Sequence, residues 1–118
     1  MGKTIISEDG RFEWDENKDR LNKKDHGFSF IEILEVFDDP AFLEGYDQKH
    51  SNKEDRYYGM GCLNGMLYII VFYTYRERIR LISARRADTD EQEEYNDYFK
   101  KIKPWTDNGN KELSHYIY

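Results

Sequence analysis

Apolar positions are unevenly spread along this chain, and their spacing divides it. Phe12–Trp14 alternates as a short strand would, and between Asp15 and His26 the only strongly apolar side chain is Leu21. Asp15 has the chemistry of a helix N-cap and Gly27 that of a C-cap, which predicts a helix between them. Without a wide apolar stripe, that helix has to lie on the surface or against something polar. A second helix is predicted from Ser29: Ser29 and Glu32 have capping-box spacing, and Phe30, Ile31, Ile33, Leu34 and Phe37 form an apolar face that Asp38-Asp39-Pro40 ends.

The pattern then changes period. Arg56–Leu63 and Met66–Thr74 are rich in aromatic and β-branched residues and are joined by Asn64-Gly65, a strong hairpin signal. Apolar residues of both parities between Leu67 and Tyr73 predict a central strand covered on both faces. Arg78–Ala84 reads as a further antiparallel strand, and Ala41–Tyr46 as an additional one. From Thr89 helical spacing returns, with Thr89 and Gln92 as a capping box and Tyr95, Tyr98, Phe99 and Ile102 recurring before Pro104. The expectation is one α+β domain over residues 12–102, with a leader at 1–11 and a C-terminal tail at 103–118 that holds a short strand at Leu113–Tyr118.

Composition narrows the function. Twenty-four acidic against 18 basic residues give a net charge of −6, so binding to nucleic acid phosphates has to rest on local clusters. Two clusters exist: Lys18, Arg20, Lys23 and Lys24, and Arg76, Arg78, Arg80, Arg85 and Arg86. A single cysteine, Cys62, excludes an internal disulfide, and neither a membrane span nor an export signal at Met1–Gly10 is visible, so a soluble, cytoplasmic protein is expected. His26, His50, His115 and Cys62 lack metal-ligand spacing, and no glycine-rich phosphate loop or nucleophile elbow is present. Neither a metal nor another cofactor is expected.

Three segments together resemble the BrnT family of toxin ribonucleases. They are Phe12-Glu13-Trp14-Asp15 with Lys18, Asn22 and His26-Gly27, followed by Phe28-Ser29-Phe30 and Phe37-Asp38-Asp39-Pro40; Glu54 and Arg56 opening a strand that contains Gly61; and Tyr73-Thr74 with Ile79–Ala87, leading into a helix that holds Tyr95. The resemblance implies a RelE-like fold, with an N-terminal strand and two helices packed on an antiparallel sheet and a C-terminal helix after it. It also implies metal-independent RNA cleavage and neutralisation by a BrnA-like ribbon-helix-helix antitoxin, through which alone the chain would meet operator DNA.

Metal-free RNA cleavage needs a group to take the 2′-hydroxyl proton, one to protonate the departing 5′-oxygen, and cations around the phosphate. Imidazole is the side chain that ordinarily titrates near neutrality, which makes His26 the candidate acid or base. Lys18, Arg80 and Arg85 are the candidate charge stabilisers, Arg being able to grip two phosphate oxygens. Glu54 is either a base or an ion-pair partner. Arg56, Arg78, Tyr73 and Arg86 are expected to contact RNA. Lys18, Asn22 and His26, four apart, share one side of the first helix, a side expected to face substrate. Strand parity puts Arg78 and Arg80 on one face, but Arg85 joins them only if the strand bends or ends near Ala84. An alternative is an inactive toxin-fold binding module that acts with its antitoxin as co-repressor; the −6 charge, and Asp25 before His26, favour it.

Overall fold

The computed structural model describes residues 2–107, with side chains to residue 102. Six strands form one sheet: β1 (Thr4–Ile6), β2 (Phe12–Asp15), β3 (Leu43–Tyr46), β4 (Arg56–Leu63), β5 (Leu67–Tyr75) and β6 (Ile79–Arg86). Three helices accompany them: α1 (Glu16–His26), α2 (Phe30–Ile33) and α3 (Thr89–Asp107). The strand order is β1-β2-β6-β5-β4-β3. All neighbours are antiparallel except β2 and β6, which run parallel, so the sheet is mixed where an antiparallel one was expected. The leader is also more than a leader, since β1 pairs with β2 from Thr4 to Ile6.

Local chemistry explains the elements. The Asp15 carboxylate accepts from the Lys18 N–H at 3.0 Å to start α1, and Gly27, at φ 84°, ends it by donating to the Lys23 carbonyl. The second predicted helix is shorter than its apolar spacing suggests. It is α-helical only over Phe30–Ile33 and tightens to 3₁₀ over Leu34–Asp38. Asn64 and Gly65 turn the β4–β5 hairpin with φ of 55° and 70°, the geometry of a type I′ turn. Asp88, rather than Thr89, caps α3, exchanging hydrogen bonds with Glu91 at 2.8 Å, and α3 runs through Pro104. The expected strand at Leu113–Tyr118 lies outside the described residues.

Two buried clusters lie on opposite faces of the sheet. The larger joins Phe12, Trp14, Phe30, Ile33, Val36, Leu63, Ile69, Val71, Tyr73, Leu81 and Ala84. Gly61 lets the 3₁₀ turn approach on this face, because a Cβ there would stand 2.6 Å from the Val36 carbonyl oxygen. The smaller cluster, Ala41, Met60, Ala87 and Tyr95, seats α3 on the other face. Asp39 stitches the two sides: one carboxylate oxygen accepts from the Cys62 N–H at 2.7 Å and from the Tyr95 hydroxyl at 2.6 Å. Burial and that bond both push the Tyr95 phenol pKa upward. As the both-parity pattern predicted, β5 is central, with Ile69, Ile70, Val71, Tyr73 and Thr74 all buried.

Candidate functional site

A bulge in β6 decides which arginines act together. Tyr73 pairs with Leu81 and Phe72 with Ser83, leaving Ile82 as an extra residue. Before the bulge Leu81 faces the larger cluster; after it Ala84, opposite Val71, faces the same cluster. The inserted residue therefore shifts the alternation by one, and Arg85, opposite Ile70, lands on the face that Arg78 and Arg80 share. The parity left open by the sequence is resolved by one unpaired residue. On that face the register makes a cross-strand row: Glu13 opposite Arg80, Arg80 opposite Thr74, and Thr74 opposite Arg56.

Each guanidinium of this face has a carboxylate beside it. Glu13, its side chain only 12% exposed, places one oxygen 2.5 Å from Arg80 Nη1 and the other 3.9 Å from Arg78 Nη1. Arg80 also reaches the Thr4 hydroxyl on β1 at 3.4 Å. Arg85 is held by both oxygens of Glu91, each bond 2.8 Å; that pairing raises the guanidinium's pKa and lowers the carboxyl's. Arg85 also lies over the Phe72 ring, 5.6 Å from its centroid. Glu54 stands 3.9 Å from Arg56 and 3.2 Å from Arg76. Asp88 and Asp15 add their charges near Arg85 and Arg80, so the guanidiniums of this face are closely matched by carboxylates.

The polar helix α1 is explained by the edge it meets. β2 ends at Asp15, so β6 beyond Leu81 lacks a strand on that side. Asn22 takes the strand's place. Its amide donates to the Ala84 carbonyl and accepts from the Ala84 N–H, both at 2.9 Å, and donates again to the Phe28 carbonyl at 2.9 Å. Asn22 is 5% exposed, whereas Leu21, the apolar residue beside it, is 56% exposed. The side of α1 that carries Asn22 thus faces protein at its centre. Lys18 and His26, one turn to either side, are exposed, and neither side chain has a hydrogen-bond or ion-pair partner among the described residues. Because β2 is parallel to β6, α1 follows it alongside β6, where Asn22 meets Ala84.

The structure thus sets the helix bearing Lys18 and His26 against the edge of β6, and puts Arg56, Arg78, Arg80 and Arg85 on one face of the sheet. Glu54 reaches Arg56 but is not brought to Lys18 and His26. It is paired with Arg76 where β5 turns into β6, whereas Asn22 fixes α1 at Ala84; Ile79 to Ala84 alone is roughly 16 Å of strand. Tyr73 corrects an expectation. Its ring is 0% exposed, stacked against Tyr57 and edge-on to Phe37, with its hydroxyl donating to Glu44, so it offers no face to a base. Sequence reasoning missed Glu13, Glu91 and Phe72. Glu13 and Glu91 carry no signal without the register, although the alternation that buries Phe12 and Trp14 does turn Glu13 to the other face. Among the described residues no group of three or more His, Cys, Asp or Glu side chains is placed to hold a metal ion, and no helix is long and apolar enough to cross a membrane.

Comparison with known proteins bears on this arrangement. Residues 14–91 match the family model described as the ribonuclease toxin, BrnT, of type II toxin-antitoxin systems. The chain belongs to the BrnT family. A crystal structure of the Brucella abortus ribonuclease toxin BrnT is similar, with 29% sequence identity and a TM-score of 0.52 over 64% of this chain and 94% of that one. No curated protein matches the sequence. As a member of a type II toxin-antitoxin family the chain has a cognate antitoxin as partner. The BrnT match begins at Trp14 and ends at Glu91, so β1, half of β2 and most of α3 lie outside it.

Proposed function

We propose that this BrnT-family chain is an endoribonuclease that cleaves RNA without a metal, by attack of a 2′-hydroxyl on the adjacent phosphate. The observation that carries the reading is the Asn22–Ala84 pairing, which fixes the helix bearing Lys18 and His26 against the strand bearing Arg80, Arg85 and Arg86. In this mechanism His26 moves the proton: the 2′-oxygen forms a bond to phosphorus, the bond to the 5′-oxygen breaks, and the departing oxygen is protonated. The products are a 2′,3′-cyclic phosphate and a 5′-hydroxyl. Lys18, Arg80 and Arg85 stabilise the phosphate as its charge builds, with Arg56, Arg78 and Arg86 holding the flanking backbone. Glu54, engaged by Arg76, has no part in the chemistry. The same reading gives the chain a RelE-like fold, a cytoplasmic location, and a BrnA-like ribbon-helix-helix antitoxin through which the pair reaches operator DNA.

The purified chain, freed of antitoxin, is expected to cleave RNA in the presence of a chelator and to leave 2′,3′-cyclic phosphate ends. His26→Ala is expected to lower the rate about 100-fold or more, as loss of a proton-transfer group does. Activity that survives His26→Ala and Arg80→Ala together would remove the mechanism. A second reading, an inactive module that works only by gripping its antitoxin, is favoured by the carboxylate already seated on each arginine of the sheet face. Expression without antitoxin separates the two, because a catalytic toxin arrests growth and a binding module does not.

A further inference from the structure

Phe72 is an aromatic residue of β5 that neither buried cluster takes in. It alternates with Val71 and Tyr73, which are buried in the larger cluster, so it points to the opposite face, where it is only partly buried. Its cross-strand neighbours on that face are Tyr58 of β4 and Ser83 of β6. It meets the Arg85 guanidinium, 5.6 Å from the ring centroid. Two residues along β5 in one direction is Thr74, the partner of Arg80; two residues in the other is Ile70, the partner of Arg85. Each step is about 7 Å, so the phenyl group sits midway along a line of guanidinium-bearing positions. An apolar ring left part-open between cations on a sheet face is the arrangement that receives an unpaired nucleobase: the ring takes the base by stacking while neighbouring arginines take the phosphates, or stack in turn.

We infer that Phe72 is the base-stacking platform of this face, and that the RNA this chain acts on is single-stranded at the bound position. This rests on the ribonuclease reading above and specifies its substrate. A duplex keeps its bases stacked on one another and presents sugar and phosphate outward, which leaves nothing for a phenyl face to cover. The RNA contact expected of Tyr73 passes to the residue before it, on the other side of the sheet.

The test uses the full chain freed of antitoxin and an uncleavable 2′-O-methyl oligonucleotide, single-stranded or annealed to its complement, with binding followed by fluorescence anisotropy. Wild type is expected to prefer the single strand. Phe72→Leu keeps apolar bulk on the strand but removes the π face, and is expected to weaken single-strand binding roughly 5- to 100-fold, the effect of losing one base–aromatic stack. Phe72→Trp is expected to retain binding, and its added indole emission, read against wild type, to be quenched by the single strand and not by the duplex. Equal affinity of wild type and Phe72→Leu, or unquenched emission from Phe72→Trp bound to single strand, overturns the stacking role. If Arg80→Ala weakens binding while Phe72→Leu does not, the inference falls and the ribonuclease face stands. If wild type binds neither form, both fall.

Discussion

Replacing Asn22 tests the joint on which the rest of the site depends. Its side chain makes three hydrogen bonds, two to Ala84 and one to the Phe28 carbonyl, and the residue is 5% exposed. A net value of about 1 kcal/mol per bond, raised somewhat because Ala84 is left with an unpaired N–H and carbonyl, puts Asn22→Ala at roughly 3 kcal/mol of lost stability. For a domain of this size that is a fall in Tm of roughly 10–20 °C. Asn22→Asp is more discriminating. A carboxylate still accepts from the Ala84 N–H but sets negative charge against two carbonyl oxygens, so its pKa in the folded chain rises above the unfolded value. The penalty is therefore small in acid, where the group is protonated and can donate once, and grows as pH rises through about 4. Urea unfolding at pH 3.5 and pH 7, with wild type as reference at each pH, measures this directly. A loss under 0.5 kcal/mol for Asn22→Ala, or a deficit for Asn22→Asp that is the same at both pH values, would show that the amide does not stand in for a strand.

Two other outcomes follow from the charge pairs and the phenols. The Glu91 carboxyl has its pKa lowered by Arg85, so the stability it supplies is present above the ordinary carboxylate range and is lost as pH falls through the lowered folded value; Glu91→Gln should remove that part of the acid sensitivity and about 1 kcal/mol at neutral pH, read by thermal melts across pH 2–7. Tyr75, donating to Glu44 at 2.7 Å, has its pKa pushed up to about 12 by burial first and by that carboxylate second. Its contribution is complete below the ordinary phenol value near 10 and is lost as pH rises through the folded one, so alkaline melts should weaken over that interval, and Glu44→Gln should bring the phenolate absorbance at 295 nm in at lower pH.

Much of this architecture was legible in the pattern of residues because the signals were local. Asp15 and Gly27 bound α1 through chemistry that acts within a turn, and Asn64-Gly65 sets its hairpin through backbone angles it can itself adopt. The features that escaped depend on partners distant in sequence. The parallel pairing of β2 with β6 joins residues 67 apart, from Phe12 with Ile79 onward, and no periodicity announces it. The bulge at Ile82 is a single extra residue, yet it decides whether Arg85 stands with Arg80 or against the core. The choice of Lys18, His26, Arg80 and Arg85 as candidates rests on residue chemistry together with the BrnT resemblance. The burial of Tyr73 was legible too, since it lies in the both-parity run that marks β5 as covered on both faces, and the expected RNA contact ran against that pattern. The polar side of α1 was correctly seen as needing a polar neighbour, but that the neighbour is a strand edge, engaged by Asn22, follows only from the sheet order.

The place of β6 between β2 and β5 has a bearing on synthesis. The N-terminal strands and α1 leave the ribosome first, but the strand they attach to begins only at Ile79. Until then β2 has no parallel neighbour and Asn22 has no backbone to grip, so the early segments wait on contacts of long sequence separation. A nascent or prematurely terminated product shorter than about 80 residues contains Lys18 and His26 but lacks Arg80, Arg85, and the surface that would align them. The helix and the arginine-bearing strand can therefore be brought together only after β6 has been made.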